Sequence, residues 1–245
     1  MKIIILSKSY EAALGIGRSL FLAGYNDMDL VFVGNNNAQV ALCSNMFSHK
    51  KHINRRDEDL IVSTLLQDYR DRADCNKPIL FSCDDYTTSL IDRNHSVLND
   101  YFLMTHTADY CAGAITKLMD KGYQMSIAPT FGLNIAKTWE IKYLNGGYCL
   151  PSNLIFPCIV KPEVSAEGAA KSNIRTCSSL QELEEHLENL VKQEMHNNFL
   201  VQELIHIEEE FDIHGLCNGK DVYIPIVHKK EITAKHTKGV TVVGR

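Results

Sequence analysis

Residues 156–171 read FPCIVKPEVSAEGAAK, and residues 199–205 read FLVQELI. In the first stretch an apolar run, broken only by Pro157, delivers Lys161 from a mostly buried strand into a loop without large apolar anchors. A lysine at such a place is a compact point charge suited to phosphate oxygens. The residues that follow, Glu163 to Ala170, hold one glycine, Gly168, among small side chains. A loop of this kind can close over a polyphosphate and offer it backbone N–H groups. Lys171 ends it with a second positive charge. On this segment alone, a surface turn with ordinary lysines explains the residues equally well.

The second stretch shifts that balance. Phe199, Leu200 and Val201 form a short buried strand, and Gln202, Glu203, Leu204 and Ile205 continue it toward three glutamates, Glu208 to Glu210. A segment that alternates C=O and N–H groups beside apolar walls can grip a planar heterocycle such as adenine. A carboxylate a few residues further on suits ribose hydroxyls. Two of the three glutamates read as a solvated loop.

The rest of the chain bounds what this site can belong to. Its 245 residues are 45% hydrophobic and 22% charged, an ordinary globular composition. A net charge of −5 gives no electrostatic footprint for nucleic acid or anionic lipid. The N-terminal apolar run, residues 3–6, is too short for a secretory signal, and no stretch reaches transmembrane length. The eight cysteines are scattered, with no CxxC pair or metal-finger spacing, so reduced thiols and a cytoplasmic location are expected. The histidines form no HxxxH pair and are assigned no metal role.

Residues 2–7 (KIIILS) read as a buried parallel strand. Residues 11–23 follow as a helix with Gly24 as its stop, and residues 30–34 as a second strand. A helix is expected over 57–71 and a third strand over 79–82. Strands alternating with helices imply a parallel sheet. The fold class is therefore α/β, with a Rossmann-like unit over residues 1–105. Gly15 and Gly17 do not mark a dinucleotide fingerprint: that motif needs its first glycine at the strand end, whereas these fall inside the helix and indicate close packing. Asp84 and Asp85 follow a strand and can either cap a helix or face a substrate. Residues 108–131 are expected to be one helical block containing Asp120 and Lys121. A strand is expected near residues 132–139, a turn at 145–147, and the clearest helix over 179–195, where Ser179 and Glu182 fit a capping box. Strands are also expected over 222–227 and 240–243.

The order of these parts resembles the ATP-grasp carboxylate–amine ligases, in particular the D-aspartate-ligase-like and carbamoyl-phosphate-synthase-like members, over most of the chain. Residues 14–24 and 81–85 look like that family's N-terminal domain. Asp120 and Lys121, with residues 132–138 after them, look like its "DK…G" stretch. The resemblance implies an N-terminal Rossmann-like unit followed by an ATP-grasp domain with a helical segment (106–141), an α+β lid (142–205) and the start of the C-terminal subdomain (206–245). It implies a ligase that uses ATP to activate a small carboxylate as an acylphosphate, for attack by an amine or similar nucleophile. By the same resemblance Lys121 and Lys161 are the phosphate-side lysines, and Ser165, Ala166, Gly168 and Lys171 belong to the lid loop. The backbone of Glu203, Leu204 and Ile205 holds adenine, Glu210 holds the ribose, and either Lys229 or Lys230 approaches the γ-phosphate.

Two departures stand against the family pattern. Glu167 lies in the lid loop where paired glycines are usual, and its charge repels a triphosphate unless it points outward. The Glu-x-Asn ligands that hold Mg²⁺ have no counterpart after Phe211, so Mg²⁺ is expected to be bound by residues beyond 245 and the chain to be C-terminally truncated. A catalytically incomplete nucleotide-binding module or degenerate paralogue, acting in a complex, is the alternative. A terminal strand with an open edge invites self-association as a homodimer.

Overall fold

The computed structural model describes residues 1–35, 37–72, 76–106, 111–163, 174–195, 197–206, 208–233 and 241–244, with side chains described up to residue 229. The chain divides into two compact units, Met1–Met119 and Asp120–Arg245. Among the described residues no helix is long and apolar enough to cross a membrane.

The first unit is a four-stranded parallel sheet, β1 (Ile3–Ser7), β2 (Met28–Val33), β3 (His49–Ile53) and β4 (Ile79–Ser82), in the order β3-β2-β1-β4. Its helices are α1 (Tyr10–Leu22), α2 (Ala38–Leu42), α3 (Glu58–Tyr69), α4 (Asp85–Arg93), α5 (His95–Leu98) and α6 (Ala114–Met119). Every residue of β1 is buried because both faces are covered. Ile3 and Ile5 pack with Ala13, Ala38 and Phe47 on one side, and Ile4 and Leu6 pack with Ile61, Leu65 and Leu90 on the other. A strand covered twice needs a continuous apolar run, and KIIILS supplies it.

Gly17 lies against the ring of Phe47, where a Cβ would come within 2.9 Å of Cζ, whereas Gly15 has nothing within 4 Å. Both glycines lie inside α1, but the close packing expected of the pair is seen at Gly17 alone; Gly15 is exposed. At the amino edge of the sheet the buried Asp29 accepts from Lys2 Nζ at 2.7 Å and from the Tyr69 hydroxyl at 3.1 Å. At the end of α4, Asp92 accepts from the backbone N–H groups of Ile115 and Thr116 and thereby caps α6.

The second unit opens with α7 (Lys121–Ile127), continued by a 3₁₀ turn at Ala128–Phe131. The expected single helical block is interrupted at Asp120, which is extended and accepts from Tyr123 N–H at 2.6 Å. An aspartate there serves as an N-cap, so Lys121 begins a helix instead of lying inside one. An antiparallel sheet follows, built from β5 (Thr138–Leu144), β6 (Gly147–Cys149), β7 (Cys158–Pro162), β8 (Arg175–Cys177) and β9 (Phe199–Glu203), ordered β6-β5-β9-β7-β8. Gly146 turns the β5–β6 hairpin with φ +86°, a conformation natural to glycine.

Helix α8 (Leu180–Lys192) buries Leu183, Leu187 and Leu190 against Ile141, Val160, Phe199 and Val201 on one face of this sheet. Cys158 and Cys177 face each other across β7 and β8 in the same core, where burial pushes the Cys158 thiol up to about 11. Ser179 caps α8 by accepting from Glu182 N–H, but the Glu182 carboxylate returns to the Ser178 N–H, one residue outside the expected box. A separate three-stranded sheet, β10 (Phe211–Cys217), β11 (Val222–Thr233) and β12 (Thr241–Gly244), completes the described chain.

Candidate nucleotide site

Pairing in the second sheet decides which side chains share a face. Lys161 on β7 lies opposite Leu200 on β9, and Leu200 lies opposite Glu140 on β5. Ile159, Gln202 and Thr138 make the adjacent row. Because strand side chains alternate between faces, these residues stand on the side opposite the core that α8 covers. The Gln202 amide donates to Thr138 Oγ1 at 2.7 Å, and Lys142, two residues beyond Glu140, pairs with it at 3.7 Å. The first turn of α7 lies against this face: a Cβ on Gly122 would lie 3.2 Å from Glu163 Oε1 and 3.9 Å from Glu140 Oε1.

Lys161 is half-buried, and its ammonium is pushed below the ordinary lysine range, first by desolvation and then by the charge of Lys121. Both effects disfavour the charged form of a base. The structure therefore brings the two expected lysines together from elements 40 residues apart, one on β7 and one at the start of α7. Around them stand three carboxylates, of which Asp120 is engaged as the cap of α7 and Glu140 pairs with Lys142. The neighbours that sequence reasoning did not single out, Thr138, Glu140, Glu163 and Gln202, become visible only through strand register.

The strand end near the expected adenine segment is partly committed to the fold. Glu203 N–H donates to the Lys137 carbonyl at 2.9 Å, and its carboxylate accepts from Lys137 N–H at 3.1 Å. Leu204 N–H donates to the Pro157 carbonyl at 3.0 Å. These bonds take two N–H groups out of the expected ligand set and leave the Ile205 N–H and the local carbonyls to carry it. Glu210 is half-buried just before β10, while Glu209 forms an ion pair with Lys229 on β11. Lys230 follows Lys229 on the same strand, and its side chain lies outside the described residues. So do Ser165, Ala166, Gly168 and Lys171 of the lid loop, together with Glu167.

In the first unit, Asp84 is the N-cap of α4. Its Oδ1 accepts from Thr87 N–H at 2.9 Å and its Oδ2 from Lys8 N–H at 2.8 Å and Ser7 Oγ at 3.3 Å. The carboxylate joins the end of β1 to the end of β4, a structural use that outweighs a substrate-facing one. Asp85 is exposed in the first turn of α4. The neighbouring Cys83 thiol is pushed up to about 12 by burial and by the Asp84 charge.

No family model matches the sequence, and no curated protein does. Solved structures do match the fold. An L-amino acid ligase from Bacillus licheniformis superposes with a TM-score of 0.65 at 15% identity, over 94% of this chain and 53% of its own. The N5-carboxyaminoimidazole synthetase from Staphylococcus aureus, complexed with ADP, gives 0.66 at 11% identity, over 95% of this chain and 56% of its own. The biotin carboxylase domain of the Hydrogenobacter thermophilus 2-oxoglutarate carboxylase, in complex with MgADP, ADP and bicarbonate, gives 0.65 at 14% identity, over 100% of this chain and 53% of its own. The chain thus has the ATP-grasp fold, α/β with a parallel and an antiparallel sheet, and spans about half the length of the structures it matches.

Proposed function

We propose that the second unit is the nucleotide-binding part of an ATP-dependent ligase that activates a small carboxylate. In that reaction a carboxylate oxygen attacks the γ-phosphorus of ATP and ADP departs. An amine or similar nucleophile then attacks the acyl carbon and releases phosphate. No side chain has to form a covalent bond, so positioning and charge neutralisation constitute the protein's share.

One observation carries the reading: Lys121 and Lys161 gather at one face of the antiparallel sheet of this fold, where burial and the Lys121 charge make the Lys161 ammonium less favourable. Two ammonium groups brought together against their repulsion are stabilised by a polyanion between them. In this reading Lys161 and Lys121 hold phosphate oxygens, and Ser165, Ala166, Gly168 and Lys171 cover them. The Glu203 carbonyl and the Ile205 N–H take the adenine edge, and Glu210 takes the ribose. Lys229 is held by Glu209, which favours Lys230 as the lysine that approaches the γ-phosphate. Among the described residues no group of three or more His, Cys, Asp or Glu side chains is arranged to hold a metal ion. Mg²⁺ is given no ligand among the described residues and no step of the scheme.

Calorimetric titration with a non-hydrolysable ATP analogue tests the assignment. Lys161→Ala and Lys121→Ala are each expected to weaken binding at least about tenfold, as loss of a charge-assisted phosphate contact does. Unchanged affinity in Lys161→Ala removes that residue from the site.

A further inference from the structure

The hairpin of β10 and β11 carries a pair of imidazoles that the nucleotide reading does not use. Antiparallel pairing sets Asp212 opposite His228 and His214 opposite Ile226. Residues opposite one another, and residues two apart on one strand, share a face. Asp212, His214 and His228 therefore stand together, with the two histidines on the diagonal between neighbouring strands. Their ring centroids are 5.3 Å apart, with the planes at 83°. His214 is exposed and His228 is half-buried, so solvent reaches both. The two are far apart in sequence, and no short-range motif announces them.

The backbone fixes this juxtaposition. At the hairpin tip Asn218 Oδ1 accepts from the N–H groups of Lys220 and Asp221 at 3.0 and 2.8 Å, and the register starts from Cys217 opposite Val222. The ladder then shifts: a step of two residues on β10, from Leu216 to His214, matches a step of three on β11, from Tyr223 to Ile226. Pro225 lies within the longer step. Proline inside a sheet is confined to edges and bulges, and a bulge re-aims the side chains beside it. Pairing is regular again from His214 to Phe211, so the histidines follow directly on the bulge. Their spacing suits chelation. Two imidazoles on one tetrahedral ion, each with a nitrogen about 2.0–2.1 Å from it, have ring centres about 5 Å apart. Each ring can turn about its own metal–nitrogen bond, so perpendicular planes are allowed. Packing alone also makes such ring pairs, but the exposed His214 gains little burial from it.

We propose that His214 and His228 form a two-ligand chelate for a divalent transition metal such as zinc. Imidazole nitrogen suits zinc, nickel and copper, whereas magnesium and calcium require oxygen ligands. Asp212 adds a carboxylate to the same face, which favours a cation there. Two imidazoles fall short of the three-residue group that is absent among the described residues, so the remaining positions go to water or a small anion. The assignment is independent of the nucleotide reading.

The test titrates the full chain with zinc chloride, after alkylation of accessible thiols, and follows the imidazole ¹⁵N resonances by NMR. The His214 and His228 signals are expected to shift together and to saturate at one equivalent. His214→Gln and His228→Gln are each expected to weaken the response of the remaining imidazole at least about tenfold, because the chelate loses a ligand. Backbone amide spectra of the variants separate loss of binding from loss of fold, and the unaltered chain decides even if a variant does not fold. A shift at one ring only, or a linear rise without saturation, overturns the chelate, as does unweakened binding in either folded variant. An equal, saturable response to magnesium chloride overturns the assignment to an imidazole-bound transition metal.

Discussion

Lys161 is a base whose charge is opposed twice, by partial burial on β7 and by Lys121. Its folded pKa lies below the unfolded value, so over the window between the two the unfolded chain holds more protons and stability rises with pH. We predict that nucleotide-free protein gains stability as pH rises through that window, and that Lys161→Met flattens the gain, as read by chemical denaturation at a series of pH values. Bound phosphate reverses the preference by favouring the ammonium form. ATP-analogue affinity is therefore expected to fall as pH rises through the depressed Lys161 value, with the fall displaced to higher pH in Lys121→Met. A flat affinity across that range contradicts the proposed role.

The paired glycines of α1 make a sharp test at the level of elements. Gly15→Ala, where no atom lies within 4 Å of a new Cβ, should stabilise by up to about 1 kcal/mol through helix propensity. Gly17→Ala meets the buried Phe47 ring at 2.9 Å and should destabilise by about 1 kcal/mol or more, because overpacking exceeds the same propensity gain. Equal effects at both positions, in urea denaturation, would contradict the packing described for this helix. On α8, Ser179→Ala is expected to cost about 1 kcal/mol as a lost N-cap.

These elements also mark where the sequence was legible. Strand β1 and helix α8 declare themselves because burial imposes a pattern, continuous in one and amphipathic in the other. Strand β3 went unread because HKKHI carries four exposed polar residues, and only its parallel backbone pairing with β2 makes it a strand. The break at Asp120 went unread because a capping aspartate and a mid-helix aspartate look alike until the backbone turns. Lys121 and Lys161 were legible through a motif and a strand-to-loop transition.

At the scale of the molecule, the sheet of β10, β11 and β12 differs from the other two. Ile213 and Tyr223 are each 66% exposed and Leu216 is 70% exposed. Ile213 pairs with the exposed Val227 and Leu216 with Tyr223; three residues apart on β10, Ile213 and Leu216 stand on opposite faces. A sheet with apolar groups open on both faces is a site for association and has little burial to protect its amides. Its backbone amides are therefore expected to exchange with solvent faster than those of β7 and β9, by hydrogen exchange and mass spectrometry. Elution in size-exclusion chromatography should shift with concentration, and Ile213→Lys should reduce the shift. A concentration-independent monomer with slow exchange in β10 and β11 would contradict this.

The most direct measurement follows the ¹³Cε resonance of Lys161 as a function of pH, in the unaltered chain, in Lys121→Met and with a non-hydrolysable ATP analogue. A phosphate seat built from two ammonium groups predicts a pKa below the ordinary lysine range, partly restored by Lys121→Met and raised by the nucleotide. An ordinary lysine titration, indifferent to both the substitution and the analogue, would contradict it.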